Sequence, residues 1–143
     1  MASHAFHETL RVALNALVSG KDLRAALLMT NTTADTERTI TLMNAFATLD
    51  ECDAGGYARV ALASEAVATD AGNNRAEFDA TDVSFTGLGG DATRDYQGVL
   101  IYEHVTNDTD SIPRWWIEFA STESNTVSQV DIPWNAEGIV QQA

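Results

Sequence analysis

Between residues 57 and 140 apolar and polar side chains alternate in short runs cut by turn residues. That pattern limits the fold, because alternation at period two makes strands that bury one face. Val60 and Leu62 share a face of the run 57–63, and Val83 and Phe85 share a face of 82–86. Trp115, Ile117 and Phe119 share a face of 114–120, and Val130, Ile132 and Trp134 share a face of 128–134. Several half-buried strands require a second layer. The expected class is therefore mainly β, an antiparallel β-sandwich or jelly-roll-like domain. Its expected core holds Val83, Phe85, Trp115, Phe119, Val130, Ile132 and Trp134. Residues 98–105 are apolar on both faces, with Val99 and Ile101 on one and Leu100 and Tyr102 on the other. Such a strand belongs in the middle of a sheet. Pro133 lacks an N–H, so the last run is expected at an edge or bent there.

Ahead of this block, Phe6, Leu10, Ala13, Leu14 and Leu17 recur at helical spacing. They predict an N-terminal α-helix within residues 1–20, started by Ser3 and ended by Gly20 in a left-handed conformation. A helix this short draws most of its stability from packing, so it is expected to lie against a sheet. Residues 21–29 are apolar and read as a strand, because Gly20 interrupts the helical pattern and Thr30-Asn31-Thr32-Thr33 follows. A short helix is expected near 42–49. Turn residues cluster at 50–56, 70–74, 87–91 and 107–111. With no repeat or linker, residues 1–143 read as one domain, with the β-sandwich core at 57–140.

A chain of 143 residues with 45% apolar side chains can form a core without disulfides. The lone Cys52 has no internal partner, and its neighbours Glu51 and Asp53 oppose a thiolate. Twenty-one acidic residues against eight Lys+Arg give a formal charge of −13. Such a surface repels phosphate backbones and anionic membranes, so direct nucleic-acid or membrane binding is not expected. The start of the chain lacks a basic stretch followed by a long apolar run, which predicts folding in a cytoplasm.

Candidate chemistry is sparse. Asp108 and Asp110 alternate in the loop 107–111 as calcium ligands do, but the glycine and distal glutamate of a calcium loop are missing. An ordinary Asx turn is the simpler reading, and no metal or cofactor is expected. His4, His7 and His104 lie outside any zinc-binding pattern. No Gly-x-Ser-x-Gly elbow or phosphate loop is present, and no catalytic residue is assigned. Trp115 and Trp116 are more informative, because neighbours in a strand point to opposite faces. If Trp115 joins the core, Trp116 projects outward beside Arg114 and Glu118. It then either anchors an interface together with Arg114, Glu118 and Tyr102, or is buried by a second layer of the same chain.

Several ordered elements carry a family likeness. They are Gly56-Tyr57-Ala58-Arg59-Val60-Ala61-Leu62, then Asn74-Arg75-Ala76-Glu77-Phe78-Asp79-Ala80-Thr81-Asp82-Val83-Ser84-Phe85, then Gly98-Val99-Leu100-Ile101-Tyr102. Asp110-Ser111-Ile112-Pro113 and Pro133-Trp134-Asn135-Ala136-Glu137-Gly138-Ile139 complete the series. In order and spacing over residues 57–139 the chain resembles small virion proteins encoded among the head and tail genes of tailed bacteriophages. The resemblance implies a non-enzymatic structural protein of the virion. It departs from the family at Arg114–Phe119, where relatives carry a longer apolar strand, and in its stronger acidity. The leading expectation is a capsid decoration (cement) protein. It would bind the major capsid protein on the exterior of the capsid shell as a homo-oligomer, with a trimer favoured. It would be made in the host bacterial cytoplasm. The alternatives are a tail- or neck-associated or head-fibre protein, and a carbohydrate-binding module stacking sugars on Trp116 and Tyr102.

Overall fold

The structure is a computed structural model that describes residues 5–143. The expected Ser3 cap and His4 lie outside the described residues. In chain order the elements are α1 (His7–Val18), β1 (Asp22–Met29), a 3-10 turn (Met43–Ala45), β2 (Val60–Ala61), β3 (Ala66–Asp70), β4 (Arg75–Asp79), β5 (Val83–Thr86), β6 (Tyr96–His104), β7 (Ile112–Glu123), β8 (Gln129–Ile132) and β9 (Val140–Gln142). The protein is mainly β, β-sandwich-like, with antiparallel sheets and one N-terminal helix. The chain forms two compact units: Met1–Lys21 with Leu62–Asp82 and Pro133–Ala143, and Asp22–Ala61 with Val83–Ile132.

In the smaller unit β4 is the middle strand of the sheet β3-β4-β9. Its alternation is complete: Ala76 and Phe78 are fully buried, while Arg75, Glu77 and Asp79 face the other way. α1 packs on β3 and β4. Its buried stripe is Leu10, Leu14 and Val18, narrower than the spacing alone implies, for Phe6 is 73% exposed and Ala13 and Leu17 are exposed as well. The helix ends as expected. Ser19 N–H donates to the Asn15 carbonyl, Lys21 N–H donates to the Val18 carbonyl, and Gly20 between them has φ +71°. A Cβ on Gly20 meets no atom within 4 Å, so Gly20→Ala suffers backbone strain alone. We expect a loss of about 1–2 kcal/mol in denaturant unfolding. No loss would mean that the turn relaxes without cost.

The motif at 133–139 is a structural turn of this unit. Trp134 N–H donates to Asp82 Oδ1, its indole Nε1 donates to the Thr81 carbonyl, and Ile139 N–H donates to the Phe78 carbonyl. These bonds lead the chain into β9. Trp134 is half-buried rather than core, because its indole N–H reaches a loop carbonyl. Pro133 stands beyond β8, which ends at Ile132. Without an N–H, Pro133 cannot extend the ladder to β5.

The larger unit holds the sheet β2-β1-β6-β7 and the ribbon β5-β8. β6 is central and buried on both faces, and β1 is the strand expected over 21–29. Val83, Phe85, Val130 and Ile132 are core, as the alternation predicted. Trp115 and Phe119 are only half-buried, because β7 is the outermost strand and has a neighbour on one side alone. The helix expected near 42–49 is reduced to the single 3-10 turn, and the strand expected over 57–63 to Val60–Ala61.

Candidate functional site

The acidic loop and the β2 arm form a closed ionic cluster. Arg59 donates from Nε to Glu51 Oε1 at 2.7 Å and from Nη2 to Glu51 Oε2 at 2.6 Å. The same guanidinium reaches Asp108 Oδ1 at 2.6 Å and Oδ2 at 2.8 Å, and lies 5.0 Å from the Tyr102 ring centroid. Tyr57 OH donates to Glu51 Oε1 and accepts from Leu27 N–H, which fixes Glu51 from the other side. Both carboxylates are thus bidentate partners of one cation, a strong geometry for a charged hydrogen bond. Asp110 accepts from the N–H groups of Thr106 and Asn107, an Asx-type turn. Asp108 and Asp110 therefore serve separate internal bonds. No cluster of three or more potential metal-ligating His, Cys, Asp or Glu side chains occurs among the described residues.

Arg59 beside Asp108 holds that carboxyl below its ordinary value, chiefly through the hydrogen bond and against the opposing effect of burial. A carboxyl with a lowered folded pKa binds fewer protons folded than unfolded. Its contribution is present above the unfolded value of about 3.9 and is lost as pH falls through the folded value. Stability is therefore expected to fall below about pH 4. Denaturant midpoints measured across that window check this; a flat or rising midpoint would contradict it. Burial pushes the Cys52 thiol up, so it is a core side chain rather than a nucleophile.

β7 supplies the remaining candidates, and the structure corrects their placement. Tyr102 is 1% exposed and is not a surface contact. Trp116 does not project outward: it pairs with Leu100 across the ladder and packs on the cluster of Ala26, Leu28, Ala34, Met43, Leu100 and Tyr102. The covering layer comes from the same chain, from residues 34–49 that follow β1. Gly98 makes room for the indole, since a Cβ there would stand 2.5 Å from Trp116 Cη2. Arg114 is ion-paired with Glu103, and Glu118 is exposed and accepts from Gln97 Nε2 at 3.1 Å.

Beside this strand lies a cleft of about 350 Å³, within the range of about 300–1,000 Å³ common to binding sites. Phe46, Pro113, Trp115 and Trp116 form apolar walls, while Asp35, Arg38 and Arg114 bring charge. Trp116 Nε1 and Arg114 Nε are buried without a hydrogen-bond partner among the described residues. The segment 34–40 gave no signal by sequence, for its residues acquire meaning only by folding over Trp116.

No protein-family model, curated protein or solved structure matches this chain.

Proposed function

We propose that the protein is a non-enzymatic structural component of a bacteriophage virion, a decoration protein that binds the outer surface of the major capsid shell and reinforces it. The observation that carries this reading is the disposition of β7. Arg11, Arg24, Arg59, Arg75, Arg94 and Arg114 each hold a carboxylate of this chain. The twelve-residue β7, by contrast, is the outermost strand of its sheet and leaves Trp115 and Phe119 half-exposed. An interaction surface is what such a strand offers. The ordered motifs that resemble those of small phage virion proteins supply the setting. The formal charge of −13 favours a basic rim on the shell.

Reinforcement follows from bridging. A copy that contacts two capsid subunits makes rupture break its own contacts too, and many modest contacts in one lattice add through effective concentration. A sugar-binding role loses both of its outward stacking groups, because Tyr102 is buried and Trp116 packs on the core cluster. Copy number in the intact particle tests the assignment. Hundreds of copies on the shell support decoration, while about six or twelve would place the protein in a neck or tail ring and overturn it.

A further inference from the structure

We propose that the cleft beside Trp116 is a binding site for a small zwitterion with an aromatic body, a free aromatic amino acid. Arg38 takes the carboxylate, Asp35 takes the ammonium, and Phe46 and Trp116 flank the ring. The site goes beyond the decoration reading and does not depend on it.

Three observations converge on it. The first is a pair of unpaired charges. Asp35, Glu37, Arg38 and Arg114 all line the cleft. Two of them are occupied. Glu37 accepts from the Thr33 hydroxyl and from Ala47 N–H at 2.9 Å, and Arg114 is ion-paired with Glu103. The other two are not. Among the described residues the side chains of Asp35 and Arg38 form no hydrogen bond or ion pair, even with each other. Arg38 is the exception among the seven arginines of a chain with 21 acidic residues, since the other six each hold a carboxylate.

The second is a wall that is already fixed. Thr33 N–H donates to the Thr48 carbonyl at 2.9 Å, and Thr48 N–H donates back to the Thr33 hydroxyl at 3.2 Å. Glu37 N–H donates to the Thr33 carbonyl at 2.9 Å and closes one helical-type turn. Residues three apart on such a turn are neighbours, which brings Asp35 and Arg38 to the same wall. Left unpaired, they offer one site for each sign of charge. Little ordering is required when a ligand meets a wall so tied.

The third is the apolar half of the cleft. Phe46 and Trp116 pack on the core cluster, stay half-buried and line the cleft with Ile40 and Pro113. Aromatic walls favour an aromatic ring set edge-on or offset against them. At about 350 Å³ the cleft has the size of a small-molecule site. All these residues belong to the larger unit. Net charge then selects among ligands. A formal charge of −13 repels a simple anion and draws a simple cation to the whole surface. A zwitterion carries no net charge and is held only where both signs meet beside a ring.

The probe is L-phenylalanine, which leaves tryptophan fluorescence as a readout beside amide and indole chemical shifts. We expect saturable binding with a Kd of about 1 mM or below, and shifts concentrated at residues 34–46 and at the Trp116 indole. Three analogues each lack one element: phenylpropionate the ammonium, phenethylamine the carboxylate, and glycine the ring. Each is expected to bind at least about tenfold more weakly, having lost a charged hydrogen bond or the buried ring. Arg38 is exposed, so Arg38→Gln should leave the unfolding midpoint unchanged. It should weaken phenylalanine at least about tenfold and leave phenethylamine, which has no carboxylate, unaffected. Absence of saturation, shifts elsewhere, or phenylpropionate or phenethylamine binding as tightly as phenylalanine would overturn the proposal. So would an Arg38→Gln variant that binds phenylalanine as the parent does. None of these outcomes depends on whether the protein sits on a capsid, so this proposal and the decoration reading fail separately.

Discussion

Replacing Arg59 by methionine is expected to cost on the order of 2–4 kcal/mol of folding stability. The variant removes the cation that holds both Glu51 and Asp108, at 2.6–2.8 Å, and leaves two carboxylates with no other ion-pair partner among the described residues. Breaking a fully buried pair costs somewhat more, but Glu51 and Asp108 retain 22% and 36% side-chain exposure, and water recovers part of the loss. The contact with the Tyr102 ring goes too. Arg59→Lys is expected to recover only part of the stability, since an ammonium cannot serve two carboxylates bidentately. The loss should also shrink in acid, because protonated carboxyls no longer need the cation. Denaturant midpoints at neutral pH and near pH 3 check both statements. A loss below about 1 kcal/mol at neutral pH would show the cluster to be a surface ornament of the fold.

Trp116→Ala is expected to destabilise the fold by roughly 2–4 kcal/mol, although outward register alone would make it a harmless surface change. The indole covers Leu100 and Tyr102, and its benzo edge occupies the space left by Gly98. Removing it opens a void between β6 and the segment 34–49. The buried Nε1–H, without a hydrogen-bond partner among the described residues, offsets a little of the loss, since its desolvation cost vanishes with it. Unfolding curves decide the matter. A change within about 0.5 kcal/mol would place Trp116 on the surface after all.

These two residues mark how far the sequence was readable. Alternation located β5 and β8, and a run apolar on both faces located β6, since each strand's burial follows its own side chains; the helix face was visible in Leu10 and Leu14. Lys21 to Met29 likewise read as a strand. The outermost position of β7 was not legible: which strands neighbour one another depends on pairing between distant segments, and half-exposure of Trp115 and Phe119 follows from that pairing. Of the two readings of Trp116, an interface anchor or burial by a second layer of the same chain, the structure shows the second. The alternation of Trp116 with Trp115 was correct, but the layer that buries it is an irregular segment with a single 3-10 turn, which has no periodicity to detect. The ionic cluster of Glu51, Arg59 and Asp108 joins residues far apart in the chain, so Asp108 could be noted only as a possible ligand. β3, β4 and β9 were missed as strands, because β4 carries three charged side chains on its solvent face and β9 is three residues long.

The proposed reinforcement of a shell is tested most directly by rupture of the particles proposed to carry this protein. Particles are stripped of it, and heat and osmotic-shock survival are compared before stripping, after stripping, and after adding back the purified chain. The account predicts that stripped particles break at lower temperature and milder shock, and that add-back restores the original resistance. Stripped particles as robust as intact ones would contradict it.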